Sequence, residues 1–504
     1  MTASVNRRDF LRLAGLLPLS LAAPRWASSL SAPSSQKNVI VVVFDAFSAL
    51  NISLYGYPRE TTPNLRRLAQ RAIVYHNHYA ASNFTTSGTA SLLTGTLPWT
   101  HRALLPNGKV TEHFLHRNIF RALPDYYRLA YTHNSWAFTL LNQFWQDIDE
   151  LVLPRRLFLA SIDNSIGVLF RNDGDLSSLS WTRDTDITSG YAYSLLLSHL
   201  LTPIQERQIA SVADHFPRGL PTSFDDRTGF LLEDAIAWLR DRLGSLPQPF
   251  FGYLHFLPPH SPYRTSSEFY RRFAHDGFRP MDKPLDVFAT KGTSPETLAL
   301  RTSYDEYILY VDQSLGVFFD FLKVSGLLDT TWVVLTTDHG EMFERGMAGH
   351  GNPSLYQPLI RVPLMIFEPG RQVGQQVQIP TSALDLLPTL AHITGHSIPD
   401  WAEGQILPPF AEANAERSIY AVLARKNDPS APLTIASTAL IRANYKLLYY
   451  FGYRSPDVKE LTKLYDVMAD AEEMIDLSAS RQDVTQQMLN ELKAMITRVN
   501  KPYV

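Results

Sequence analysis

The chain of 504 residues contains no cysteine. That removes disulfides, zinc–thiolate and iron–sulfur sites and any cysteine nucleophile, together with the modified cysteine of a lipoprotein anchor. Charge is scarce as well: 19% of residues are Asp, Glu, Lys or Arg, below the roughly 25% usual for globular chains. The 46 basic and 49 acidic residues leave a formal net charge of −3, so there is no basic footprint for nucleic acid. No uncharged apolar run approaches the roughly 20 residues needed to cross a bilayer. What is present is 45% hydrophobic residues, enough to bury a sizeable core and to exclude bulk disorder. The length fits about three domains, or one large α/β domain with additions.

The first residues read as an address. Asn6-Arg7-Arg8-Asp9-Phe10-Leu11-Arg12 precedes an apolar run from Leu13 to Ala23 and Ser-rich sequence from Ser28 to Gln36. Paired arginines before a short apolar run resemble a twin-arginine (Tat) export signal, which a receptor reads and which does not anchor. The expectation is a signal and linker over 1–35, passage through the Tat export machinery, and a periplasmic or extracellular protein with no transmembrane anchor in its mature form.

Beyond it, short apolar runs alternate with helical patterns. Val39 to Phe44 (VIVVVF), Pro249 to Leu257 (PFFGYLHFL), Thr331 to Thr337 (TWVVLTT) and Val362 to Phe367 (VPLMIF) suit strands buried on both faces of a parallel sheet. Thr62-Pro63 before NLRRLAQRA reads as a helix start. Asp226 to Leu243 and Ser303 to Val324 read as amphipathic helices. This spacing predicts an α/β fold: a mostly parallel central sheet with helices on both faces. Residues 145–225 lack steady periodicity and read as an insertion within a domain over 36–410. Residues 411–504 read as a small C-terminal α+β subdomain that includes the strand-like Lys446 to Phe451 (KLLYYF).

Polar groups stand just after the predicted strands: Asp45, His260 in HSPY, and Asp338-His339. A hydroxyl-rich segment, Asn83-Phe84-Thr85-Thr86-Ser87-Gly88-Thr89, opens a helix-like stretch. In a parallel sheet the strand ends converge on one edge, where ligands bind. Carboxylates and a histidine there can hold a divalent metal, and a hydroxyl at a helix N-terminus can serve as nucleophile. Each feature also has a structural reading. An Asp after a strand can cap a turn, Thr85 can cap its helix, and Asp338-His339-Gly340 can be a plain turn. His255 alternates with apolar residues and reads as a core histidine. His76, His78 and His133 carry no specific signal, and the aromatics from Trp136 to Trp145 read as packing.

Taken in order, these segments resemble the sulfatase branch of the alkaline phosphatase superfamily. VIVVVFDAFSALNISLYGYPRETTPNLRRLA is similar to its first strand, metal aspartate and first helix, and NFTTSGTASLLTG to its nucleophile segment. TTWVVLTTDHGEMFERG is similar to its late metal pair, and LYDVMADAEEMIDLS to its C-terminal tail. The resemblance implies an alkaline phosphatase/sulfatase-like fold and a divalent metal ion at Asp45, Thr85, Asp338 and His339, with Zn or Mn favoured and Mg or Ca admissible. It implies an anionic ester substrate and puts the nucleophile at Thr85, with Thr86 as the neighbouring alternative. His260 and His350, the latter 11 residues after His339, resemble substrate or second-metal histidines.

The chain departs from the formylglycine sulfatases at three points. Ala46 stands where many have a second aspartate, Thr85 cannot mature to formylglycine, and the Pro and Arg of their signature are missing. A threonine at this position is the pattern of the phosphoethanolamine and phosphoglycerol transferases. The implied function is a metal-dependent hydrolase of a phosphate-type ester (mono-, di- or phosphonate ester). A phosphoethanolamine-type transferase onto a glycan or lipid, a sulfuric ester hydrolase and a non-catalytic binding protein stay open.

Overall fold

The computed structural model of the chain describes residues 36–157, 207, 209–222, 229–454 and 460–504. The export signal expected over 1–35 and much of the insertion expected at 145–225 lie outside these residues. The strands are β1 (Asn38–Phe44), β2 (Ile73–Tyr79), β3 (Tyr127–Thr132), β4 (Glu150–Val152), β5 (Phe250–Phe256), β6 (Thr331–Thr337), β7 (Met342–Glu344), β8 (Met347–Gly349), β9 (Arg361–Phe367), β10 (Gln375–Val377), β11 (Thr381–Ser382), β12 (Ile419–Leu423), β13 (Ala436–Arg442), β14 (Tyr445–Phe451) and β15 (Glu460–Asp466). The helices are α1 (Pro63–Leu68), α2 (Thr85–Thr94), α3 (Pro98–His101), α4 (Ser135–Gln143), α5 (Leu232–Leu243), α6 (Pro295–Val324), α7 (Gln357–Ile360), α8 (Leu386–Ile393) and α9 (Gln482–Asn500).

The central sheet runs in the order β10-β2-β9-β6-β1-β5-β3-β4, with β11 beside β2. Only β9 is antiparallel to its neighbours; the other pairings are parallel. The central strand β1 explains why its sequence is an unbroken apolar run. Ile40, Val42 and Phe44 pack toward α1, α5 and α6 through Leu65, Leu239 and Leu315. Val39, Val41 and Val43 face α2, α4 and α8 through Leu93, Leu140 and Leu387. Both faces are dry, so no polar face exists to produce alternation.

Helix α6 starts at Pro295 rather than near Ser303. Ser294 Oγ accepts from the Thr297 N–H at 3.2 Å, and a proline in the first turn needs no partner for its nitrogen. The early turns are largely exposed and carry no apolar periodicity to read. Helix α5 begins at Leu232 rather than at Asp226, because Gly229 bridges Thr222 in an antiparallel pair and Leu231 is extended at the cap position; residues 223–228 lie outside the described set. The aromatic stretch only partly packs: Phe144 is buried in the core, whereas Trp145 is 60% exposed.

Strands β12-β13-β14-β15 form a separate antiparallel sheet. Its alternation is plain. Leu440, Leu447 and Leu464 pack on α9 through Met488 and Leu492. Ala439, Leu448 and Tyr465 face Tyr79, Phe84 and Leu359 of the larger unit. The second face therefore backs the segment that leads into α2. None of the described helices is long and apolar enough to cross a membrane.

Candidate active site

Four neighbouring strands, β6-β1-β5-β3, bring their carboxyl ends to one edge. Asp338 follows β6, Asp45 follows β1, His255 is the penultimate residue of β5, and Asn134 lies just beyond β3. All four are buried. The Asp45 N–H donates to Phe256 O at 2.9 Å, extending the β1–β5 pairing to the site itself.

Thr85 opens α2, where Phe84 at the cap position makes no side-chain bond. Its Oγ1 donates to Asp45 Oδ2 at 3.4 Å and stands 3.3 Å from His339 Nε2. One turn on, Thr89 Oγ1 donates to Asp338 Oδ2 at 3.2 Å, as expected for positions sharing a helix face. Thr86 turns elsewhere, its hydroxyl accepting from the Asn107 N–H at 3.1 Å. The helix lies this close because residue 88 is glycine: a Cβ there would sit 2.4 Å from the Asp338 carbonyl oxygen.

His255 corrects the expectation of a core histidine. It is fully buried, yet its Nε2 is 3.7 Å from Asp45 Oδ2 and 3.8 Å from Asp338 Oδ2. Asp45, His255 and Asp338 each offer a donor atom within 4.8 Å of the others. His255 Nε2 and Asp45 Oδ1 are buried without a hydrogen-bond partner, and His339 Nε2 approaches Asp45 Oδ1 to 3.3 Å. Orphaned oxygen and imidazole donors converging in this way fit a divalent cation, and the mixed set admits Zn, Mn, Mg or Ca.

Asn134 was not singled out by the sequence reading. Its Oδ1 caps α4, accepting from the Trp136 N–H at 2.8 Å and the Ala137 N–H at 3.2 Å. The cap fixes the amide, and its Nδ2 donates to Asp45 Oδ2. A polar residue closing a parallel strand was the available signal, the same one that marked Asp45.

The structure places His350 and His260 beside His339. The ring centroids of His339 and His350 are 4.4 Å apart, and those of His350 and His260 are 4.8 Å apart. Glu341, also missed, orients His350. Its two carboxylate oxygens lie 3.0 and 3.1 Å from His350 Nδ1, and Tyr263 OH donates to it at 3.0 Å.

The electrostatics follow from burying this set. Burial opposes ionisation of Asp45, and His260, His255 and His339 overcome that penalty, holding it well below the usual carboxylate range. Burial and the neighbouring Asp45 charge push Asp338 up. Burial works against a charge on His339, but Asp338 and Asp45 outweigh it and raise the imidazole to about 9. Burial lowers His260.

Residues 37–146 and 200–396 match the family model for sulfatases. The chain belongs to the sulfatase family. The sulfatase likeness extends to arylsulfatase K of Xenopus laevis, 26% identical over 297 residues, 53% of this chain and 55% of that protein. The chain thus spans about half the length of the arylsulfatase K relatives it matches. The multifunctional alkaline phosphatase superfamily protein PehA of Trinickia caryophylli is 24% identical over 416 residues, 75% of this chain and 77% of that protein. Among solved structures, the phosphonate monoester hydrolase SpPMH from Silicibacter pomeroyi shares the fold at a TM-score of 0.62 and 21% identity, covering 92% of this chain and 96% of that one.

Proposed function

We propose that this sulfatase-family chain is a divalent-cation-dependent hydrolase of phosphate-type esters, with Thr85 as nucleophile. One observation carries the reading: the Thr85 hydroxyl, on the first turn of α2, stands 3.4 Å from Asp45 Oδ2 and 3.3 Å from His339 Nε2. A threonine oxygen suits in-line attack on phosphorus, whereas sulfate hydrolysis through formylglycine needs a cysteine or serine that this position lacks. The likeness to PehA and to the phosphonate monoester hydrolase agrees with this choice.

Asp45, Asp338, His255 and His339 would hold the cation. Bound there, it would acidify the hydroxyl and neutralise charge on the phosphoryl oxygens. The chain's own groups supply the rest. Asp45 Oδ2 accepts a hydrogen bond from the Thr85 hydroxyl and orients it; the hydroxyl proton passes to solvent as the threonine oxygen bonds to phosphorus and the bond to the leaving oxygen breaks. His260 and His350 hold the non-bridging oxygens, and the His350 imidazole gives a proton to the leaving oxygen. Water then bonds to phosphorus, passing a proton to the His350 imidazole that served the leaving oxygen, while the bond to the Thr85 oxygen breaks and that oxygen takes up a proton from solvent, restoring the hydroxyl. The N-terminal field of α2 favours the anionic group throughout.

The test is a screen of aryl phosphate, phosphodiester, phosphonate and sulfate esters with Zn, Mn, Mg and Ca, followed by mass spectrometry of quenched enzyme. Thr85→Ala should lose at least about 10³-fold in kcat, because the covalent step has no nucleophile. Wild-type turnover in Thr85→Ala with a dead Thr86→Ala would move the nucleophile by one residue. Turnover of the sulfate ester alone would overturn the phosphate reading. Export is a proposal of the same kind, resting on Arg7-Arg8-Asp9-Phe10-Leu11; a tagged full chain found only in the cytoplasm would refute it.

A further inference from the structure

The C-terminal sheet meets the site through one cation. Arg425 lies two residues past β12 and is half-buried. Its Nη1 donates to Gly351 O at 2.6 Å, and its guanidinium carbon is 5.5 Å from the centre of the Phe84 ring. Phe84 directly precedes Thr85, and Gly351 directly follows His350. The Gly351 N–H in turn donates to Asn83 O at 2.9 Å. Arg425 therefore borders both segments that carry the reacting groups.

This approach is built for. Gly351 has a φ of +65°, which favours glycine, and the Arg425 Nη1 lies 2.6 Å from where a Cβ would stand. Yet no described carboxylate pairs with the guanidinium. Partly buried Arg218, Arg242 and Arg417 each hold a carboxylate, whereas Arg425, like Arg102, Arg264 and Arg361, forms no ion pair among the described residues; of these, Arg425 is the one that borders the segments carrying Thr85 and His350. Of its five N–H donors, the Gly351 carbonyl takes one, and no other described protein group accepts from it. A partly desolvated cation without an anion is unfavourable unless a ligand supplies one. Lys426, exposed and 5.6 Å from the Tyr453 ring, adds charge of the same sign.

We propose that Arg425 is a specificity residue that receives an oxyanionic group of the substrate outside the reacting ester, so that the preferred substrates carry a second negative charge. The fork of N–H groups suits bidentate capture of such a group. The assignment rests on the reading above only in taking Thr85 and His350 to mark the reacting end.

The experiment compares two aryl esters that differ only in the leaving phenol, one bearing a 4-carboxylate and the other the 4-carboxamide. Each pair is prepared as phosphate, phosphonate and sulfate esters and measured on the full chain, on Arg425→Gln and on Arg425→Lys. Glutamine keeps a polar amide but carries no charge and is too short to replace Nη1 at Gly351 O, so any loss of bracing falls on both esters alike. The wild type should prefer the carboxylate ester, chiefly through KM. Arg425→Gln should reduce that preference about 10- to 100-fold, as loss of a charged hydrogen bond would, and Arg425→Lys should keep part of it. No preference in the wild type, or an equal fall for both esters in Arg425→Gln, would overturn the proposal and leave Arg425 a brace for Gly351. Turnover confined to the sulfate pair would overturn the phosphate reading, while the carboxylate preference within that pair would still judge Arg425.

Discussion

Replacing Gly88 by alanine tests whether the close approach of α2 to β6 sets the active geometry. The new Cβ would lie 2.4 Å from the Asp338 carbonyl oxygen, 3.1 Å from its carbonyl carbon and 3.3 Å from its Cβ. An ordinary contact begins near 3.4 Å, so helix and strand must part by about 1 Å. Both obstructing carbonyl atoms are backbone, so no rotamer relieves the clash. Gly88 sits one turn from Thr85, and the shift falls on the distances that join Thr85 and Thr89 to Asp45 and Asp338. A misplacement of about 1 Å commonly lowers activity about 10²-fold, and overpacking destabilises by about 1–3 kcal/mol. Gly88→Ala should therefore lose about two orders of magnitude in kcat/KM while its melting temperature falls by only a few degrees. Gly244→Ala is the control, because that residue closes α5 in a right-handed conformation with nothing near its absent Cβ. Steady-state kinetics on an aryl ester and circular-dichroism melting measure the two effects. If Gly88→Ala keeps kcat/KM within threefold of the wild type, the approach of α2 does not set the geometry.

Buried histidines outside the site make stability depend on acid. Burial lowers His78, His101 and His133 each to about 3, against about 6.5 in an unfolded chain. Two are held neutral by geometry: His101 Nδ1 accepts from the Ala103 N–H at 3.0 Å, and His133 Nε2 from the Leu257 N–H at 3.2 Å. The unfolded chain takes up protons that the folded chain refuses. Their contribution is thus complete above pH 6.5 and drains away as pH falls toward 3, by about 1.4 kcal/mol per unit for each histidine. Urea midpoints should fall steeply from pH 6 to 5, and less so in His101→Gln; constant midpoints would refute this. For the metal, His255→Phe removes an imidazole from within 3.8 Å of both carboxylates. A cation at a hundredfold excess over its Kd stabilises by about 2.7 kcal/mol. The melting shift that Zn or Mn gives the wild type, reversed by a chelator, should be largely absent from His255→Phe, and an undiminished shift would remove His255 from the ligand set.

How much of the site the sequence displays depends on whether a residue interrupts a pattern. Asp45 and Asp338 end unbroken apolar runs, so their placement at the strand ends is visible in VIVVVFD and VVLTTDH. Thr85 is visible because it opens a helix-like stretch. His255 is hidden, since it sits inside a strand buried on both faces, where a histidine aimed at carboxylates and one packed in a core leave the same trace. Its partners follow β1, beside β5, and β6, one strand further on, an order that only the fold reveals. Asn134 is hidden behind its ordinary role as a helix cap. Glu341 follows the metal pair directly but shows its use only when His350 and Tyr263 arrive from other segments.

The strand order accounts for the charge as well as the placement. Adjacent strands β6 and β1 end on Asp338 and Asp45, and two carboxylates so close cannot both be ionised in a dry site without compensating positive charge. The histidines hold Asp45 down, burial and Asp45 push Asp338 up, and the two carboxylates raise His339, so protons can supply that compensation. A divalent cation carries the same charge without occupying the imidazole nitrogens with protons, and it would satisfy the orphaned Asp45 Oδ1 and His255 Nε2 together. Asn134 adds a neutral donor to Asp45 from the far side. The sheet thus concentrates negative charge at the edge where Thr85 stands, and a cation bound between the carboxylates would offset it. Arg425 completes it from outside: the C-terminal sheet supplies positive charge for the part of the substrate that the central sheet does not reach.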